Sequence, residues 1–187
     1  MKFLIAGLGN KGAEYFHTRH NIGFLIADAL VASGSADFST ARHAQMAEIK
    51  IRGKKVLVIK PATYMNLSGK AVSYWLQAEQ IPLNHMLVIT DDIALPFGTI
   101  RIRARGSDGG HNGLANMIES LQSSTFARLR FGIGSEFPQG RQVDYVLSEW
   151  DETEKKQLPE RIEKCVDAVK LFIHAGLSET MNRYNNK

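Results

Sequence analysis

The stretch KFLIAGLGNKGAEY, residues 2–15, decides the fold class, because an apolar run typical of a strand ends directly in a glycine-rich loop. Its three glycines spell G-x-G-x-x-G, the pattern of a dinucleotide-binding turn. That turn needs a helix to open within the glycines, whereas the next helical pattern here begins only at Asn21. The acidic residue expected further on, Asp28, falls inside that helical pattern. The stretch therefore predicts a tight ligand-binding loop at a strand's carboxyl end rather than a nucleotide site.

Six apolar runs predict strands, and four stretches with helical periodicity alternate with them. We expect strands at 2–6, 45–51, 55–60, 86–90, 99–105 and 128–134, and helices at about 21–33, 69–80, 112–122 and 160–176. The Arg52-Gly53-Lys54 turn makes one strand pair antiparallel, and Pro159 is expected to start or kink the last helix. We predict an α/β fold, a single-domain twisted mixed β-sheet flanked by α-helices over residues 1–187, with Asn185–Lys187 frayed.

Composition narrows the class of protein. The net charge of +4 and the pI near 9.2 favour an anionic partner, although only weakly without a basic surface. No apolar run approaches the length needed to cross a bilayer, and we see no signal peptide. The one cysteine, Cys165, is expected to be a buried, inert thiol and suits the cytosol. We therefore expect a cytoplasmic protein without membrane contact.

Polar side chains gather in four loops next to glycine or proline. These are Asn10, Tyr15 and His20 in the first loop, Asn66 in KPATYMNLSGK, Asp91 and Asp92 in VITDDIALPFG, and His111 and Asn112 in GSDGGHNGL. Any one of them could merely cap a helix. Their common position at strand and helix ends instead indicates one site.

Three kinds of hydrolytic site can be compared with these loops. His17 and His20 form an H-x-x-H pair, but no third zinc ligand accompanies it at a characteristic spacing. No G-x-S-x-G elbow is present for a serine hydrolase, and Ser68 does not directly follow a strand. A histidine acting as base on water remains, and His20 oriented by Asp91 fits that arrangement.

Two strands place arginines at every second residue. Arg101, Arg103 and Arg105 alternate with apolar residues in TIRIRAR, and Arg128 and Arg130 do so in RLRFGIG. Such a face could bind phosphates through the planar guanidinium groups. The alternative is a solvated face that only keeps the protein soluble.

Taken together, the ordered motifs resemble the bacterial peptidyl-tRNA hydrolase family. The resemblance runs from GLGNKGAEY through TRHNIGF, KPATYMNLSGKAV, TDDIALPFG and GSDGGHNGL to RLRFGIG, which is roughly residues 3–134. It implies a monomeric cytosolic enzyme that cleaves the ester between a peptide and tRNA, without metal or cofactor. It also implies that the substrate's amino group must be blocked.

The resemblance assigns roles to individual residues. It makes His20 the general base and Asp91 its orienting partner, and we add Asn10 or a nearby backbone N–H as the oxyanion donor. The peptide and terminal ribose would be held by Asn10, Asn66 and Asn112, with Tyr15, Tyr64, Met65 and His111 shaping the cleft. A clamp on the tRNA 5′-phosphate, at the end of the acceptor arm, would consist of Arg101 and Arg130, with Arg103 extending it.

The chain departs from the family pattern at three positions. Lys11 stands where the family usually has proline, and Ala94 stands where it commonly has a second acid. Arg101 replaces a frequent lysine and keeps its charge with a different geometry. Two rival interpretations stay open at this point: a non-catalytic RNA-binding module that uses the arginine face, and a metal-dependent esterase.

Overall fold

The strands of this computed structural model, which describes residues 1–185, form one mixed sheet. In chain order they are β1 (Lys2–Gly7), β2 (Ser39–Ala41), β3 (Ala44–Ile51), β4 (Lys54–Pro61), β5 (Met86–Asp92), β6 (Ile100–Arg103) and β7 (Ala127–Gly132). Their spatial order is β2-β3-β4-β1-β5-β7-β6, with the central strands β4, β1, β5 and β7 parallel and the others antiparallel. The predicted fold class is confirmed.

Helices cover both faces of the sheet. They are α1 (Ile22–Ser33), α2 (Ser68–Ala78), α3 (Asn112–Leu121), α4 (Gln142–Val146), α5 (Glu152–Ala175) and α6 (Leu177–Tyr184). Because side chains alternate along a strand, Ile5 of β1 packs in a core with α1 and α5, whereas Leu4 packs in a second core with α2 and α3. No helix among residues 1–185 is both long and apolar enough to span a membrane.

Glycines in the first loop serve close packing between a strand and a helix. A Cβ added to Gly7 would lie 2.2 Å from the carbonyl oxygen of Gly23 in α1. Helix α1 opens only at Ile22, after two short 3-10 turns, Ala13–Tyr15 and Arg19–Asn21. The rejection of a dinucleotide-binding turn therefore agrees with the structure.

Several predicted boundaries are wrong. The last long helix starts at Glu152 rather than at 160, and Pro159 lies inside it instead of starting it. A capping box between Asp151 and Glu154 fixes that start, because each residue bonds the other's backbone N–H. The first two turns of this helix are mostly polar, so hydrophobic periodicity could not reveal them. Strand β2 and helices α4 and α6 were not predicted.

Arg128 does not belong to a phosphate-facing surface, contrary to the expectation from its spacing. It is 1% exposed, and its guanidinium donates to the carbonyl oxygens of Gly106, Ser107 and Ser124. The guanidinium also lies over the ring of Phe126. Arg128 thus anchors the start of the loop that leads to His111.

The chain end is ordered at Asn185, so the prediction that this residue is frayed is wrong. Its side-chain amide exchanges two hydrogen bonds with the backbone of Ile102 in β6. The other two residues of that prediction, 186 and 187, lie outside the described residues.

Candidate active site

Two histidines meet one aspartate at the carboxyl end of the sheet. Asp91 is the next-to-last residue of the buried strand β5, and its side chain is 3% exposed. The Nδ1 atom of His20, on the second 3-10 turn, lies 2.8 Å from Oδ2 of Asp91, and the Nε2 atom of His111 lies 2.9 Å from Oδ1. The histidine side chains are 11% and 9% exposed, respectively. The structure therefore brings together three residues that the sequence places in separate loops.

Hydrogen-bond partners fix the proton positions on both rings. The Nδ1 atom of His111 caps α3 by accepting from the backbone N–H groups of Gly113 and Leu114, so the proton of a neutral ring is on Nε2 and points at Asp91. His20 donates from Nδ1, because a carboxylate can only accept. The Nε2 atom of His20 is consequently the nitrogen that can take up a proton.

His20 and His111 keep the Asp91 carboxylate ionised. Burial alone would raise the pKa of the Asp91 carboxyl. Electrostatic attraction to His20 and His111, together with the hydrogen bonds from both rings, outweighs burial and holds the pKa of Asp91 well below its usual range. Asp91 is therefore ionised at neutral pH and stabilises any positive charge that develops on His20.

These three side chains also have the spacing of a metal site. Within residues 1–185, the ligand atoms of His20, Asp91 and His111 all lie within 4.8 Å of one another. The protonated Nε2 of His111 is unsuited to a metal, since its Nδ1 lone pair already accepts two N–H groups. His17 of the H-x-x-H pair is exposed and packs edge-on against Phe16. The geometry fits a hydrogen-bonded base better than a metal centre.

Asn10 lies at the end of the glycine loop and is buried. Its Oδ1 accepts from the backbone N–H of Met65, which leaves the Nδ2 end of the amide as a donor. Asn21 holds the backbone of Asn10 from the other side, accepting from its N–H and donating to its carbonyl. Sequence reasoning missed this role of Asn21, whose only signal was its place directly after His20.

The remaining predicted substrate contacts lie on the first and second loops and at the start of α3. Tyr64 is half exposed and packs edge-on against Tyr15, with ring centroids 6.5 Å apart. The Nζ atom of Lys11 lies 5.1 Å from the centre of the Tyr64 ring. Asn66 and Asn112 are exposed, whereas Met65 is buried behind them.

The predicted phosphate contacts lie on two neighbouring strands. Arg101 of β6 stands directly opposite Arg130 of β7, and Arg103 stands opposite the buried Arg128. The Nε atom of Arg130 forms an ion pair at 2.8 Å with Asp92, the residue directly after Asp91. Asp92, whose partner the sequence did not indicate, therefore holds Arg130 close to the histidine cluster, which consists of His20, Asp91 and His111.

Arg19 braces the turn that carries His20. Its guanidinium donates to Glu154 at 2.7 Å, to the carbonyl of Glu149 and to the hydroxyl of Ser148, and it lies over the ring of Tyr145. These contacts join the second 3-10 turn to the start of α5. No local sequence pattern predicts these contacts, because the partners are more than 120 residues apart.

The amino-acid sequence is similar to those of known peptidyl-tRNA hydrolases over its whole length. The family model described as "Peptidyl-tRNA hydrolase" matches residues 4–187. The chain is 51% identical to the peptidyl-tRNA hydrolase of Cytophaga hutchinsonii over 187 residues, which is all of both chains. It is 43% identical to that of Syntrophomonas wolfei over 186 residues, covering 99% of this chain and 100% of the other.

A solved structure of a peptidyl-tRNA hydrolase also matches this chain. The crystal structure of peptidyl-tRNA hydrolase from Acinetobacter baumannii superposes with a TM-score of 0.93 at 32% identity. The superposition covers 98% of this chain and 94% of that chain.

Proposed function

This chain belongs to the peptidyl-tRNA hydrolase family, and from that premise we propose that it hydrolyses the ester bond between a peptide and the 3′-terminal ribose of tRNA. The observation that carries the proposal is the buried His20–Asp91 pair at 2.8 Å, with Nε2 of His20 left to act as a base. The products are free tRNA and a peptide with a new carboxylate.

The reaction is a general-base hydrolysis. Nε2 of His20 takes a proton from water as the water oxygen attacks the ester carbonyl, and Asp91 stabilises the imidazolium that results. Collapse of the tetrahedral intermediate breaks the bond to the ribose oxygen, which receives the proton back from His20. We assign the oxyanion to a donor such as Nδ2 of Asn10, whose Oδ1 is already occupied by the Met65 backbone. No metal is required.

Substrate binding uses amides and aromatic rings around the cluster. Asn66 and Asn112 can donate to and accept from peptide amides and ribose hydroxyls. Tyr15 and Tyr64 offer apolar surface beside them, and Tyr64 has half of its surface free for contact. Met65 is buried and shapes the cleft through the bond from its backbone N–H to Asn10. His111 is a positioning residue in this account, because its proton is directed at Asp91 rather than at substrate.

The tRNA is held by its phosphates. Arg101 and Arg130 would bind the 5′-phosphate of the acceptor arm, and Arg103 would extend the contact along the backbone. The cross-strand position of Arg101 and Arg130 supports this role, because two guanidinium groups on the same sheet face can share one anion. The +4 net charge adds a weaker general attraction.

We further propose that the protein acts as a monomer in the cytoplasm, where ribosomes produce its substrate and the released tRNA returns to translation. The buried, unpaired Cys165 suits a reducing compartment. In the described part of the chain, three of the five large apolar side chains that are clearly exposed, Phe16, Tyr64 and Leu67, lie in the substrate loops.

The direct test measures release of N-acetyl-amino acid from N-acetyl-aminoacyl-tRNA in the presence of a chelator. Unblocked aminoacyl-tRNA serves as the second substrate, and His20→Ala is compared with wild type. His174→Ala is the matched control, since His174 is an exposed histidine on α5. We expect release of the acetylated amino acid alone, abolished in His20→Ala and unchanged in His174→Ala.

The rival interpretations predict different results. A metal-dependent esterase would lose activity with the chelator. An RNA-binding module would bind tRNA tightly and release nothing, which would refute the catalytic role of His20.

A further inference from the structure

Asn185 completes the outer edge of the sheet. Strand β6 is the last strand on that side, and β7 is its one neighbour in the sheet. The Oδ1 atom of Asn185 accepts from the N–H of Ile102 at 2.8 Å, and its Nδ2 donates to the carbonyl of Ile102 at 2.9 Å. One side chain thus satisfies both outward-facing backbone groups of this residue, as a further strand would do.

The pairing between β6 and β7 carries an electrostatic cost. Arg101 faces Arg130 and Arg103 faces Arg128, so two like-charged pairs lie directly opposite one another. Like charges in directly opposed positions destabilise a strand pair. Burial, and then the charge of Arg130, lower the pKa of Arg128. Asp92 offsets the charge of Arg130, but no acidic side chain among residues 1–185 lies within ion-pair distance of Arg101 or Arg103.

Asn185 bonds the residue between the two arginines of β6. Ile102 is fully buried, so its side chain fixes the strand to the core while its backbone is held from outside by Asn185. Arg101 and Arg103, the residues on either side, project from the opposite face of the strand. A tie at Ile102 therefore sets the position of both guanidinium groups relative to Arg130.

We infer that Asn185 is a positioning residue for tRNA binding: it holds β6 against the repulsion of its arginines, so that Arg101 and Arg130 face one phosphate together. This inference rests on the proposed function of Arg101 and Arg130. It assigns the C-cap residue of α6 a part in substrate binding, although α6 carries no residue of the histidine cluster. Asn185 acts on affinity and leaves the chemical step unchanged.

The test compares Asn185→Ala with wild type on two substrates, N-acetyl-aminoacyl-tRNA with its 5′-phosphate and the same tRNA after the phosphate has been removed. Asn182→Ala is the matched control, since Asn182 is an exposed asparagine of α6, the helix that Asn185 directly follows. Losing two hydrogen bonds to the strand is expected to raise KM about fivefold to tenfold on the phosphorylated substrate, with kcat unchanged. On the dephosphorylated substrate, KM of Asn185→Ala should match wild type.

Urea unfolding of both variants shows whether the chain still folds at the assay temperature. A second variant, Asn185→Asp, tests the two hydrogen bonds separately. It keeps the acceptor for the Ile102 N–H but loses the donor to the Ile102 carbonyl. We expect its KM to rise on the phosphorylated substrate as well.

Each other outcome overturns the inference or a premise that can be identified separately. An unchanged KM on the phosphorylated substrate, or an equal rise on both substrates, means that Asn185 only caps the sheet edge. If wild type is active but indifferent to the 5′-phosphate, the assignment of Arg101 and Arg130 fails. If wild type is inactive, the proposed function itself fails.

Discussion

The histidine cluster and the arginine pair differ in how their charges are balanced. In the histidine cluster (His20, Asp91 and His111), the one carboxylate is buried and hydrogen-bonded by both rings. In the arginine pair (Arg101 and Arg130), two like charges face each other on a partly exposed strand pair. Asp92 compensates Arg130 alone.

The difference indicates a division of labour. The histidine cluster is preorganised before any substrate arrives, because its polar atoms are already paired in the geometry that general-base catalysis needs. In the arginine pair, only Arg130 has an acidic partner among residues 1–185, so a bound phosphate would relieve the repulsion between the two guanidinium groups. Changes in the histidine cluster should therefore lower kcat, and changes in the arginine pair should raise KM.

The largest expected effect comes from Asp91→Asn. The substituted amide has one acceptor oxygen and presents an NH₂ group in place of the other. His20 is therefore free to adopt the tautomer with its proton on Nε2, which cannot act as the base. We expect kcat to fall about 10³-fold with little change in KM, measured by steady-state kinetics on N-acetyl-aminoacyl-tRNA. Asp167→Asn, an exposed aspartate of α5, serves as control. A loss confined to KM would place Asp91 in binding instead.

The pH dependence of kcat tests the same cluster. Because the pKa of Asp91 is lowered, its carboxyl is already ionised throughout the working range and gives no limb to the profile. An acid limb should then come from protonation of the base itself, with kcat falling about tenfold per pH unit, because a protonated imidazole cannot take a proton from water. A limb near pH 4, or a flat profile while chemistry is rate-limiting, would contradict the base assignment.

The arginine pair should give a smaller effect, limited to binding. For Arg101→Ala combined with Arg130→Ala we expect about a tenfold to thirtyfold rise in KM, and a shallower dependence of log Kd on log salt by about 1 to 2 units. The kcat at saturation should remain close to wild type. Arg52→Ala with Lys50→Ala, two exposed basic residues on the β3–β4 hairpin, is the matched control. An unchanged salt slope would remove the pair from the tRNA surface.

Lys11→Ala should give the smallest effect. It removes a cation–π contact with Tyr64 that is worth about 0.5 kcal/mol at an exposed site, so KM should change by no more than about threefold. The backbone bond from the Lys11 N–H to the Thr63 carbonyl is kept in this variant. Peptide substrates of different lengths would show whether Lys11 contacts the acyl chain, since such a contact makes the change depend on length.

The central strands and the histidine cluster could be predicted from the sequence for the same physical reason. Short apolar runs such as MLVIT are typical of buried strands of a parallel sheet, and loops after such strands meet at one edge. Asp91 follows that run directly, which is why its proximity to His20 could be expected. At the end of β5, the local sequence pattern therefore predicts the tertiary arrangement.

The parts that escaped prediction depend on contacts between distant segments. Arg128 alternates with apolar residues along β7 as Arg130 does, yet it is buried. The carbonyl oxygens of residues 106 and 107 and of Ser124 accept hydrogen bonds from its guanidinium. Asn185 is bonded to a strand 83 residues away. Neither partner has a local pattern, so periodicity alone could not distinguish a buried arginine from an exposed one, or an anchored chain end from a frayed one.

The most direct test of the division of labour is to measure binding and single-turnover cleavage separately for His20→Ala. We expect this variant to bind N-acetyl-aminoacyl-tRNA with a Kd within about twofold of wild type, while single-turnover cleavage falls by about 10³-fold or more. Cleavage at a rate near wild type would contradict the assignment of His20 as the base. A loss of binding as large as the loss of cleavage would contradict the separation of the two regions.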